Sequence, residues 1–199
     1  MSAMSTTGTV ITEEVRYKEY LNEIPYNTLK TWYHSMMNEI DWRFQGWAGD
    51  PREPYRHWAS YPEIGGLIKE IWKAINYSLT EDGFNLTPTR AIANLYAHGD
   101  SSWLHTDCDK PSAWTVICFL NEYWDIKWGG DFVLVENNEI LKAFAPTPGK
   151  FVAFRSNILH AARPVSREAP IPRLGLAFQC DNNLQGLPKT QVSALSTPL

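Results

Sequence analysis

The chain has 199 residues, a formal net charge of −4 and a pI of about 5.7, with 44% hydrophobic and 20% charged residues. That length suits one domain with a real core. The acidic balance argues against nucleic acid and anionic membrane as partners, and no apolar run approaches the roughly 18 residues of a membrane span.

Residues 1–14 are small and polar, without the basic-then-apolar order of a signal peptide, and read as a disordered arm. Residues 15–24 read as an edge strand. Over 25–40, Leu29, Trp32, Tyr33, Met36, Met37 and Ile40 recur at helical spacing. Residues 41–61 read as one long loop of the kind that forms lids or binding loops, rich in Trp47, Arg52, Tyr55, Arg56, His57 and Trp58. A second helix is expected over 62–79, where Ile64, Leu67, Ile68, Ile71, Trp72 and Ile75 repeat the stripe. Both helices should pack one face on a common sheet.

After Arg90 the period shortens. Runs 90–97, 113–121, 132–136, 140–145, 151–155, 161–165 and 174–180 are short and apolar or alternating, divided by turn residues such as Gly129-Gly130, Asn137-Asn138 and Pro148-Gly149. They predict a mainly β fold, a sandwich or barrel, with the first-half helices covering one side. Residues 184–199 read as a loose tail, so that 15–183 form the single domain. The three cysteines, Cys108, Cys118 and Cys180, fit neither a disulfide framework nor a zinc motif, which suggests a reducing, cytoplasmic setting.

The chemistry concentrates in Trp103-Leu104-His105-Thr106-Asp107 and in His160. On a strand, residues two apart share a side, so His105 and Asp107 aim an imidazole and a carboxylate at one point, and His160 from a neighbouring strand supplies a third ligand. Two histidines and one carboxylate, with other positions open, suit non-haem Fe(II) that must bind a co-substrate and O₂. A 2-oxo acid could take two open positions, and its far carboxylate would need a buried partner. Arg173 offers a bidentate fork and Tyr96 a hydroxyl donor. Arg163 and Arg167 compete with Arg173 as anchor, but Arg173 alone begins a strand. Arg52, Arg56 and His57 could meet an anionic or polar substrate, with Trp58 and Trp103 as further substrate contacts.

Tyr96-Ala97-His98-Gly99-Asp100, His105-Thr106-Asp107, Trp128-Gly129-Gly130-Asp131-Phe132, Pro148-Gly149-Lys150-Phe151, His160-Ala161-Ala162-Arg163-Pro164-Val165 and Arg173-Leu174-Gly175-Leu176 follow in order. Together they resemble the Fe(II)/2-oxoglutarate-dependent dioxygenase superfamily, with the prolyl-4-hydroxylase-like subgroup most similar. The resemblance implies a double-stranded β-helix, or jelly roll. It implies iron ligands His105, Asp107 and His160, and Arg173 as the 2-oxoglutarate anchor beside Tyr96. By period two, Thr115, Ile117 and Phe119 share a strand face and should line the same pocket. Relatives often carry tyrosine where this chain has Phe119, which weakens the case for prolyl specificity. Halogenating members replace the carboxylate, so Asp107 favours hydroxylation. The cofactors implied are Fe(II), 2-oxoglutarate as co-substrate and O₂, with ascorbate as a candidate reductant. The expected reaction is hydroxylation of an unactivated C–H bond of a small molecule, releasing succinate and CO₂. A peptidyl or prolyl hydroxylase and a catalytically silent jelly-roll binder are the alternatives.

Overall fold

The computed structural model describes residues 15–21, 24–46 and 56–182. The expected arm, the tail, and Trp47, Arg52 and Tyr55 of the expected loop lie outside them. Among these residues two α-helices and ten strands run in the order β1 (Tyr17–Leu21), α1 (Tyr26–Glu39), β2 (Arg43–Gly46), β3 (Arg56–Ser60), α2 (Gly66–Glu81), β4 (Leu86–Tyr96), β5 (Ala113–Phe119), β6 (Phe132–Glu136), β7 (Glu139–Phe144), β8 (Lys150–Arg155), β9 (Leu159–Ala162) and β10 (Arg173–Asn182). A seven-stranded sheet has the order β1-β8-β5-β10-β4-β3-β2, and a three-stranded sheet the order β7-β6-β9. All ladders are antiparallel. This is the jelly roll expected from the sequence.

The strand alternation decides what lies where. On β5, Trp114, Val116 and Cys118 join the core cluster that includes the helices, as do Leu174, Leu176, Phe178 and Cys180 on β10 and Ala91, Ala93 and Leu95 on β4. Leu29, Trp32, Tyr33 and Met36 of α1 and Ile68, Ile71, Trp72, Ile75 and Leu79 of α2 meet them there. The intervening residues of these strands face the smaller sheet, so one face of the large sheet is spent on stability and the other on the cavity.

Three expectations are corrected. The segment 41–61 is not one loop, because β2 and β3 pair and extend the large sheet through Ala59↔Asn94 on β4. Strands of four and five residues carry too little alternation to separate from a loop by pattern. α2 starts at Gly66 rather than 62, since Gly65 and Gly66 (φ 45°) stand where a helix would otherwise begin. β4 starts at Leu86 rather than 90, with Pro88 and Thr89 accommodated where its register with β10 shifts between Gln179 and Cys180. The Asn137-Asn138 hairpin has positive φ at both residues, 51° and 63°, the geometry of a type I′ turn. No helix among the described residues is long and apolar enough to cross a membrane.

Phe178 is fully buried with its ring 5.0 Å from that of Trp72, joining β10 to α2. Phe178→Ala should cost ~3–5 kcal/mol of unfolding free energy, measured by denaturant titration.

Candidate active site

His105 and Asp107 do not lie on a regular strand. They occupy an irregular segment between β4 and β5, and one antiparallel bridge ties it to β9. In that bridge His105 N–H donates to His160 O (3.1 Å) and His160 N–H donates to His105 O (2.9 Å). His160 belongs to β9 itself, which runs from 159 to 162 rather than 161 to 165. Asp107 N–H donates to Ser156 O at 2.9 Å, fixing the carboxylate end of the segment to the turn after β8. The irregular path still brings one nitrogen of each histidine and one carboxylate oxygen to within 4.8 Å of one another.

The orientation of each ring follows from a carbonyl two residues back. His105 Nδ1 lies 2.9 Å from Trp103 O, and His160 Nδ1 lies 2.9 Å from Ile158 O. Each carbonyl accepts the Nδ1 proton and leaves Nε2 free to coordinate. The two Nε2 atoms face Asp107 at 3.7 Å (His105, Oδ1) and 3.5 Å (His160, Oδ2). Burial holds the His160 pKa below the usual imidazole value against the pull of Asp107, which keeps the ring in its neutral, metal-binding form. Thr115 Oγ1 donates to Asp107 Oδ2 at 2.7 Å, and Gln179 Nε2 donates to Oδ1 at 3.2 Å. Both carboxylate oxygens are therefore oriented. Two neutral imidazoles and one held carboxylate fit a divalent iron with open positions.

A cavity enclosing about 730 Å³ of empty space, part of it open to solvent, contains this group. It is lined by His105, Asp107 and His160 at one side, by Tyr96, Ile117 and Arg173, and by His57, Tyr61, Asn94 and Trp103. Arg173 opens β10, as expected, and is 2% exposed. Its Nε and Nη1 are buried without a hydrogen-bond partner. The guanidinium carbon lies 5.0 Å from the centre of the Tyr96 ring and 5.1 Å from that of Phe119. Burial pulls its pKa down; electrostatic interactions with Tyr96 and Asp131 act the other way. A Cβ at Gly130 (φ 71°) would come within 3.2 Å of Arg173 Cδ and of Val165 Cγ2, so the glycine is what lets the arginine stem pass. A buried cation with unused N–H groups facing a cavity calls for an anion, and a dicarboxylate co-substrate fits. Arg163 and Arg167 are exposed, and Arg167 donates to His98 Nε2.

Of the three β5 residues expected on the cavity face, Ile117 lines it, Thr115 stands behind Asp107, and Phe119 lies against Arg173. Tyr96 lines the cavity, and burial raises its pKa, keeping the phenol protonated; its hydroxyl is bonded to Ser102. Of the expected substrate contacts, His57 and Trp103 line the cavity. Arg56 and Trp58 do not, because strand alternation turns His57 and Ala59 inward and their neighbours out. Arg56 instead pairs with Asp100 (3.0 Å), and Trp58 meets Phe44. Gln179 and Asn94 were missed in the sequence, although both lie at period two from expected site residues, Arg173 and Tyr96.

The model of the 2OG-Fe(II) oxygenase superfamily matches residues 91–178. This segment belongs to that superfamily. Its members use Fe(II) and 2-oxoglutarate with O₂, and the His-Asp-His group matches the iron requirement. A Pseudomonas putida prolyl-4-hydroxylase superposes with TM-score 0.61 at 16% identity, covering 83% of this chain and 91% of that one. A Trichoplax adhaerens prolyl hydroxylase, solved with a hypoxia inducible factor peptide fragment, gives 0.65 at 13%, covering 83% of each chain. SnoN, a non-haem alpha-ketoglutarate-dependent epimerase from nogalamycin biosynthesis, gives 0.63 at 11%, covering 82% and 76%. At these identities the superpositions show the shared fold. No curated protein matches by sequence.

Two outcomes test the site. Arg173→Met removes a buried charge whose loss of hydration outweighs its attraction to Asp131 and Tyr96, so the ligand-free protein should keep or raise its melting temperature. Its 2-oxoglutarate affinity should fall about 100-fold, by calorimetry. Burial holds the His57 pKa down to about 4. The unfolded chain takes up that proton near pH 6.5 and the folded one resists it. Its contribution to stability is thus complete above the unfolded pKa and is lost as pH falls from 6.5 towards 4, at up to ~1.4 kcal/mol per pH unit. His57→Gln should flatten the curve of unfolding free energy against pH in that window.

Proposed function

We propose that this 2OG-Fe(II) oxygenase hydroxylates an unactivated C–H bond of a small molecule, with release of succinate and CO₂. The observation that carries the reading is the shared cavity: three convergent metal-ligand atoms at one side and a buried, unpartnered guanidinium at another. Bound iron and 2-oxoglutarate supply the oxygen activation that the family's reaction requires.

The chain's own groups have assignable tasks. His105, Asp107 and His160 hold the iron, with their orientation set by the carbonyls of Trp103 and Ile158 and by Thr115 and Gln179. Arg173 neutralises the far carboxylate of the co-substrate, and the packed rings of Tyr96 and Phe119 hold its fork in place. Ile117, Ala162 and Ala177 give the pocket an apolar part beside the proposed iron ligands. His57, neutral down to about pH 4, offers the substrate a polar contact without a charge.

The lining mixes apolar residues such as Ile92, Ile117 and Phe132 with convergent polar groups such as Asn94, Ser102 and Arg173, a combination that suits a small polar ligand. We assign the protein to a reducing compartment such as the cytoplasm. Cys108, Cys118 and Cys180 are unpaired, and burial raises the Cys118 thiol to about 12. Such a thiol is inert.

Succinate release in air, with Fe(II), 2-oxoglutarate and ascorbate, tests the reading. Members of a metabolite library should stimulate it at least tenfold. Proline-rich peptides should not, and His105→Ala should abolish it. Stimulation by peptides alone would favour the peptidyl hydroxylase, and binding of both cofactors without succinate the silent binder.

A further inference from the structure

Arg90 is a cation that the chemistry above leaves unused. In the β4–β10 ladder it stands directly opposite Gln179. Directly opposed residues project to the same side of a sheet, and the Gln179 amide on that side donates to Asp107. Arg90 is therefore on the cavity face, one strand spacing of about 4.8 Å from the residue that orients an iron ligand. The register shift falls immediately beside it, where Thr89 Oγ1 donates to Gln179 O at 3.1 Å. Such irregularities re-aim side chains next to active sites.

The guanidinium carbon of Arg90 sits 4.7 Å from the centre of the Tyr61 ring, and Tyr61 lines the cavity. This cation–π contact limits where a long, exposed side chain points. Among the described residues no carboxylate pairs with Arg90. Of the other described arginines discussed for the site, Arg56 is paired with Asp100 and Arg173 is buried. Among the described residues, Asp107 is the one carboxylate lining the cavity, and it is a proposed iron ligand. Arg90 is not itself a lining side chain, but it stands over the lining residue Tyr61, and among the described residues no carboxylate is paired with it.

We infer that Arg90, held over the ring of Tyr61, docks a carboxylate of the primary substrate and so restricts the reaction to small organic acids, amino acids included. The planar fork of arginine takes a carboxylate in two parallel hydrogen bonds. The inference rests on the oxygenase reading and adds the substrate class to it.

The experiment uses the full chain with Fe(II) and 2-oxoglutarate under anaerobic conditions. The probes are the L-amino acids and a set of straight-chain carboxylic acids, each matched with its own carboxamide. Binding is read as the shift in melting temperature and turnover as succinate after oxygen is admitted. At least one acid should stabilise the wild type by several degrees and stimulate succinate, while its carboxamide does neither. In Arg90→Gln the acid and its carboxamide should become equivalent, with KM for the acid raised about 30-fold or more and kcat changed far less. Arg90→Lys should recover part of the discrimination, which a merely structural role would not show. Three results would overturn the inference: carboxamides that serve as well as acids, no acid that binds, or an Arg90→Gln KM equal to that of the wild type. Failure of the oxygenase reading itself is a separate result, since the wild type would then release no succinate from 2-oxoglutarate under any condition.

Discussion

The arrangement depends on one buried charge whose guanidinium is short of hydrogen-bond acceptors. Arg173 is withdrawn from water, and two of its nitrogens, Nε and Nη1, have nothing to donate to. The aromatic faces of Tyr96 and Phe119 recover part of the lost hydration, but they accept no directed hydrogen bonds. A group held this way is costly to the folded chain, and an anion arriving through the cavity removes the cost. Gly130 is part of the same constraint, because a side chain there would collide with the arginine stem. Phe119 supplies a ring face to the cation and no hydroxyl, so it offers a bound carboxylate no hydrogen bond of its own.

Around this charge the large sheet divides its labour by parity. Along β10, Leu174, Leu176, Phe178 and Cys180 are buried against the helices, while Arg173, Gly175 and Ala177 line the cavity and Gln179 reaches Asp107. A shift of one residue would send the arginine into the helical core and the leucines into the site. The buried packing of α1 and α2 on the outer face therefore specifies the register that the chemistry needs. The reciprocal backbone bonds of His105 and His160 join the irregular segment after β4 to β9 of the smaller sheet and fix the separation of the two imidazoles.

The parts legible in the sequence were those with long or strict patterns. The stripes of both helices, the apolar runs of β5, β8 and β10, and the start of β10 at Arg173 are periodic over enough residues to be read directly. The convergence of His105, Asp107 and His160 was legible too, though for a different reason than the geometry shows. The strand argument placed His105 and Asp107 on one side, whereas a single bridge and the Ser156 carbonyl hold them there. The β2–β3 ribbon was hidden because pairing, not local pattern, makes those residues strands. Arg56 and Trp58 looked like site residues by proximity to His57, but alternation turns them outward. The groups that orient the ligands, namely two backbone carbonyls, Thr115 and Gln179, carry no sequence signal until the chain is folded around them.

The central claim is that the His-Asp-His group and the buried guanidinium jointly bind Fe(II) and 2-oxoglutarate. Its most direct test is an anaerobic spectroscopic titration of the purified chain. The account predicts a visible charge-transfer band that needs both Fe(II) and 2-oxoglutarate, saturates at one equivalent of each, and is lost in Asp107→Ala. A wild-type protein that shows no band at saturating concentrations of both would contradict it.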